Sequence, residues 1–165
     1  MTSTVLSEVI AFTAFIVLLS ISLVYFTLHQ AAIAISTDKA ILRDVAEYTA
    51  TSLTNLISLT NSSKESSMFL MKILSIPQDV NGKGYFITLK NNTGIWMVVV
   101  YYSESMKEEA KLWNSRSINV LSEDDNLTQY GVKLLSEIPS GLMKPVVWCW
   151  KKNGTIFVGL GKVSE

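Results

Sequence analysis

Apolar and polar positions alternate with three different rhythms along this chain, and each rhythm predicts a different kind of element. From Val9 to Leu28 (VIAFTAFIVLLSISLVYFTL) there is no formally charged side chain, and the neutral stretch runs on to Thr37. About 20 apolar residues rising 1.5 Å each cover a hydrocarbon layer of roughly 30 Å. The scattered Ser and Thr residues fit such a helix, because their hydroxyls can bond back to a carbonyl one turn earlier. A core helix of a soluble protein is usually shorter than this run. A cleavable signal peptide would suit the small residues of Ala32-Ile33-Ala34, but its apolar region would be shorter and a basic flank would precede it. Lys39 is the first basic residue. The pattern therefore predicts a retained membrane helix over about residues 9–28.

Past that span the period stays helical but one side turns polar. Ile41, Val45, Tyr48, Leu56 and Leu59 recur at three- and four-residue steps, and Leu42, Ala46, Thr49 and Leu53 widen the same stripe. Asp38, Lys39, Arg43, Asp44 and Glu47 mostly take the other face. No Gly or Pro occurs between Met1 and Leu59. One continuous helix over about 1–60 is expected, followed by a polar linker at 61–67.

The third rhythm is that of strands. Tyr85–Lys90 (YFITLK) and Ile95–Tyr102 (IWMVVVYY) are rich in β-branched and aromatic residues, and Asn91-Asn92-Thr93-Gly94 separates them as a hairpin turn. Val146–Lys151 and Thr155–Leu160 flank Asn153-Gly154, a dipeptide suited to a type I′ turn because both central residues need positive φ. Ser117–Leu121 reads as a strand and Ser105–Trp113 has helical spacing. Met68–Ile76 and Leu127–Leu135 fit either element. The expected class is α+β: a long membrane-spanning N-terminal helix, then a small, mainly antiparallel, sandwich-like β domain over 68–165.

Composition changes this picture little. In 165 residues the formal net charge is zero and 17% are charged, so nucleic acid is not an expected partner. The mean hydropathy of +0.31 is high for a soluble protein. A single cysteine, Cys149, excludes an internal disulfide and a cysteine-rich zinc site. Lying between Trp148 and Trp150 on a strand, it points away from both rings and reads as a small buried residue. His29, the only histidine, has no second imidazole for a metal pair and reads as an interfacial polar residue. Glu123-Asp124-Asp125-Asn126 offers oxygen ligands without the alternation and glycine of a calcium loop, and reads as a solvated turn. No nucleophile elbow, phosphate loop, zinc-protease motif or dinucleotide loop is present. The chain is not expected to be an enzyme, and nothing calls for a cofactor or a metal.

Sequons begin at Asn61, Asn91, Asn126 and Asn153, each in a predicted linker or turn where a glycan would stand in solvent. They favour an extracellular C-terminal domain. Lys39 and Arg43, following the apolar helix with nothing basic before it, favour the opposite orientation. Asp38 and Asp44 accompany those two charges, so the sequons carry the expectation.

One carboxylate, Glu8, stands at the mouth of the apolar run. Ser7-Glu8-Val9-Ile10 leading into an apolar and then an amphipathic helix resembles the start of archaeal type IV pilins and archaellum-related surface proteins. Ser75–Leu89 (SIPQDVNGKGYFITL) is similar, more loosely, to the proline, glycine turn and Tyr-x-Ile-x-Leu strand that open their β domains. The resemblance implies that the apolar helix is first a membrane anchor and then the packed core of a filament. It implies that Glu8 pairs with the N-terminal amine of a neighbouring subunit. An acid is favoured near a helix N-terminus, and once buried it needs such a partner. In this family a dedicated peptidase cuts after a basic residue and Gly or Ala, and Met1–Val5 offers neither.

Two expectations about function follow. In one, the chain is a major or minor subunit of a pilus-like filament, self-associating through its N-terminal helix, with Glu8, Ile41, Val45, Tyr48 and Leu56 as assembly residues. The stripe supports this, since such a helix must bury itself against copies. In the other, the chain is an uncleaved archaellum accessory protein of stator type. Its β domain then binds an envelope (S-layer) protein, and the missing peptidase site supports this.

Overall fold

The computed structural model describes residues 2–113, 118–121 and 125–164. Among these residues a single α-helix, α1, runs over Thr2–Ser62, and nine strands follow it. Residues 1–37 and 38–165 form two separate compact units. The first is helix alone. The second contains the rest of α1 and all of the strands.

The strands are β1 (Ser67–Ile73), β2 (Phe86–Asn92), β3 (Ile95–Ser103), β4 (Met106–Lys111), β5 (Ile118–Val120), β6 (Val132–Leu135), β7 (Glu137–Pro139), β8 (Pro145–Lys152) and β9 (Thr155–Val163). They make two sheets. The first has the order β1-β8-β9-β5, with β6 also paired to β9; the second has the order β4-β3-β2-β7. All pairings are antiparallel except β5 with β9, which is parallel. Strand β9 is the hub of the first sheet: β8 runs along one side, while β5 and β6 share the other.

Two hairpins follow the turn chemistry. Asn153 (φ 51°) and Gly154 (φ 80°) join β8 to β9, the positive-φ pair that a type I′ turn requires. Thr93 (φ 52°) and Gly94 (φ 81°) do the same for β2 and β3. That turn is two residues shorter than expected, because Asn91 and Asn92 pair with Trp96 and Ile95.

Alternation sorts β8 onto two cores. Val147 and Cys149 join the main core, whereas Val146, Trp148 and Trp150 join a smaller one with Leu127 and Val132. Phe69 and Phe157 pack on the smaller core from either side of β8. Gly159, opposite Trp148, leaves room for its indole: a Cβ there would lie 2.4 Å from Cζ2.

The main core corrects the expected domain organisation. Leu42, Val45, Ala46, Ala50, Leu53, Leu56 and Ile57 of α1 are buried with Ile87, Val98, Val100 and Ala110 of the second sheet and Val147, Val158 and Leu160 of the first. The amphipathic half of the helix is thus a component of the β domain. Its boundary lies at 37/38 instead of at the polar stretch. The expected 61–67 linker shrinks to Ser63–Ser66, since Asn61 and Ser62 are still helical and Ser67 begins β1. The ambiguous Met68–Ile73 is strand.

Ser105–Trp113 is a second correction. Its Met, Lys, Glu and Ala residues favour a helix in isolation, yet Met106–Lys111 is β4. Pairing with β3 overrides the local preference, and Ala110 is buried between exposed Glu109 and Lys111. Residues 127–135 divide between a 3-10 helix, Asp125–Tyr130, and β6. Within the predicted Ser117–Leu121 strand, Ser117 lies outside the described residues, as do Glu123 and Asp124 of the acidic turn.

Candidate functional site

Every described side chain from Leu6 to Thr37 is exposed, and the apolar ones point in all directions around the helix. This is one helix long and apolar enough to cross a membrane. Six of its Ser and Thr hydroxyls are bonded within the helix. Thr13, Ser20, Ser22 and Thr37 donate to the carbonyls of Val9, Ile16, Leu18 and Ile33, and Thr27 and Ser36 to those of Val24 and Ile33, at 2.8–3.0 Å. In a medium without water this self-sufficiency matters, because an unsatisfied polar group there is costly. His29 stacks one turn above Tyr25, with ring centroids 6.1 Å apart, at the end of the uncharged span. Glu8 is exposed and makes no ion pair with any described residue.

The other assembly residues lie elsewhere. Val45 and Leu56 are buried, and Ile41 and Tyr48 half-buried, inside the β domain's own core. The Tyr48 hydroxyl accepts the Ser75 amide at 3.4 Å, and its ring lies under the Lys72 ammonium, 4.9 Å from the centroid. Lys72 also donates to Ser52. At the far end of the helix Lys151 donates to the Ser63 carbonyl at 2.8 Å. The stripe that suggested helix–helix packing between subunits is occupied within the chain, so these four residues are positions of folding.

Asp38 is where the sequence reading missed most. The pattern groups it with the polar face, but it is only 3% exposed. Its carboxylate accepts the Tyr102 hydroxyl at 2.9 Å, the Asn81 amide and the Lys83 ammonium at 3.2 Å. Those three donors hold its pKa below the usual carboxylate value, Tyr102 foremost and then Asn81, while burial works the other way. Lys83 is raised in turn. The turn Asn81-Gly82 presents two of the donors, closed by the paired amides of Val80 and Lys83. Tyr102 sits where the β3–β4 register slips by one residue, between Tyr101 and Ser103. The signal available in the sequence was spacing: Asp38 lies one turn before Leu42 and two before Val45 and Ala46.

Tyr85, Ile87 and Leu89 of the family-like segment all contribute to the main core. Tyr85 donates to the Pro77 carbonyl at 2.5 Å, and burial raises its pKa to about 12. Burial likewise pushes the Cys149 thiol up, which suits a packing role better than a reactive one. Among the described residues no group of three His, Cys, Asp or Glu side chains is placed to hold a metal.

The sequons differ in setting. Asn153 is exposed at a hairpin tip, and Asn91 is exposed beside one, its side-chain oxygen accepting the Gly94 amide at 2.9 Å. Asn61 is exposed in the last turn of α1, not in a linker. Asn126 belongs to the 3-10 helix, and its side chain lies outside the description. No protein-family model, curated protein or solved structure matches this chain.

Proposed function

We propose that this chain is a structural, non-catalytic subunit of an archaeal type IV pilus-like surface filament. Residues 6–37 hold it in the membrane before assembly and against other subunits afterwards, with residues 38–165 outside the cell. The observation that carries this reading is the exposed, all-round apolar helix with internally bonded hydroxyls. Such a surface needs lipid or other apolar helices to cover it. Self-association then rests on Glu8 and residues 6–37, because Ile41, Val45, Tyr48 and Leu56 are already packed. Exposed sequons at Asn91 and Asn153 support the extracellular placement.

That same packing favours a second reading. A β domain whose helix stripe is already covered needs no copies of itself, as suits a membrane-anchored stator-type protein of the archaellum gripping an envelope protein. Cysteine cross-linking separates the two. Cys149 is buried, so a thiol introduced as Ile16→Cys is the accessible one. In native membranes and shed surface material, a disulfide-linked dimer of the chain is expected for a filament, since each subunit offers one accessible thiol. In the stator reading that thiol faces lipid and the chain stays monomeric at this position, so monomer alone overturns the filament reading and favours the stator one.

A further inference from the structure

The main core ends near Leu160 of β9 and Leu142 of the β7–β8 loop. One step further along the same face of β9 stands Lys162, and directly across the ladder β6 places Lys133. Like charges opposite each other on neighbouring strands repel. A third cation, Lys144, follows in the β7–β8 loop at φ 53°, a backbone conformation that few side chains adopt readily. With Leu142 and Met143 these lysines line a cavity of about 430 Å³, and among the described residues no carboxylate side chain lines it. None of the three makes an ion pair among the described residues.

Ordinary solubility does not account for this arrangement. Lys133 by itself reads as the charge that guards a short edge strand, but Lys162 is half-buried on the strand at the centre of the sheet. Nor is the cluster a by-product of a basic surface, since the chain's net charge is zero. The cavity falls in the size range of small-molecule sites, and three lysines lining one cavity are stabilised by opposite charge.

We infer that this cavity binds a small organic anion carrying two or more carboxylate, phosphate or sulfate groups. The site is independent of what covers residues 6–37. Full-length protein in neutral detergent is titrated at low ionic strength with citrate, inorganic phosphate and sulfate, following the lysine side-chain resonances and the heat released. The expected result is saturable one-to-one binding of at least one probe, weakening as salt is added. Tightest binding of citrate assigns a polycarboxylate ligand, of phosphate a phosphorylated one, and of sulfate a sulfated one. The variant Lys133→Gln/Lys144→Gln/Lys162→Gln is expected to lose roughly tenfold or more in affinity, the scale of one lost charge-assisted contact. The control Lys39→Gln/Lys64→Gln/Lys111→Gln, at exposed positions away from the cavity, is expected to bind as the parent does. Equal loss in both variants would reveal diffuse charge attraction and overturn the site. Failure of all three probes to saturate would do the same.

Discussion

Leu53→Ala tests whether the helix is part of the domain or a surface for assembly. Leu53 is fully buried in the main core, so truncation removes apolar contacts and leaves a cavity. Such changes cost about 3 kcal/mol, within a range of roughly 2–5. A unit of this size holds on the order of 5–15 kcal/mol in total, and each kcal/mol moves Tm by about 3–4 °C. The expected shift is therefore about 10 °C downward for the full-length protein in detergent. Near-UV circular dichroism is the assay, because fully buried Trp148 reports the packed state of the sheet that shares this core. Ile16→Ala is the control: it is 47% exposed in the apolar segment and should leave the transition within about 2 °C. If Leu53→Ala unfolds at the parent temperature while oligomers are lost, the helix face is an assembly surface and the packing described above is wrong.

Other expectations address single contacts. The Asp38 pKa lies below its ordinary 3.8 in the folded domain. Its charge therefore contributes stability that is fully present above 3.8 and is lost as pH falls below it, through the lower value of the folded state. Asp38→Asn should lower Tm at pH 7 and flatten the acid side of the stability profile; an unchanged acid limb contradicts the cluster. Gly159→Ala puts a methyl 2.4 Å from the Trp148 ring and 2.5 Å from the Leu121 carbonyl. It should cost about 1–3 kcal/mol, read as a lower urea midpoint, and an unchanged midpoint would rule out the close approach. Protease cleavage within Ser63–Ser66 should give fragments that co-elute on gel filtration and separate only in denaturant, since 38–62 remains in the core. Separation without denaturant contradicts this.

Those elements whose chemistry is local were readable in the sequence. Asn153-Gly154 readily takes the positive φ that a type I′ turn requires, and the runs around it are rich in β-branched and aromatic residues. The uncharged run over 9–28 is legible for the same reason, because no tertiary contact is required to recognise it. Residues that answer to distant partners were misread. Ser105–Trp113 has helix-forming residues, but β3 lies ready to pair with it. Asp38 looked solvated because its three donors stand 43 to 64 residues later in the chain. The stripe holds except at Leu59, which is 59% exposed, and periodicity identifies an apolar face without saying what covers it. Of the site residues, Glu8 is exposed, while Ile41, Val45, Tyr48 and Leu56 are core or core margin. The lysine cavity left no local signal, since Lys133, Lys144 and Lys162 meet only through strand pairing and a loop.

The order in which this core is laid down has a consequence for synthesis. Leu42 to Ile57 leaves the ribosome first, directly behind a membrane-length apolar segment. Its partners on β8 and β9 come last, ending at Leu160. At roughly 5–20 residues per second, about a hundred residues separate the two, a delay of roughly 5–20 seconds. Throughout that interval the stripe has no β8 or β9 to lie against, and β5 and β6 have no hub to join. For those seconds the nascent chain carries, beside the first, a second apolar face that only the second sheet's Ile87, Val98, Val100 and Ala110 can cover. Whatever escorts it to the membrane has to admit residues 9–28 to lipid while keeping 42–57 out.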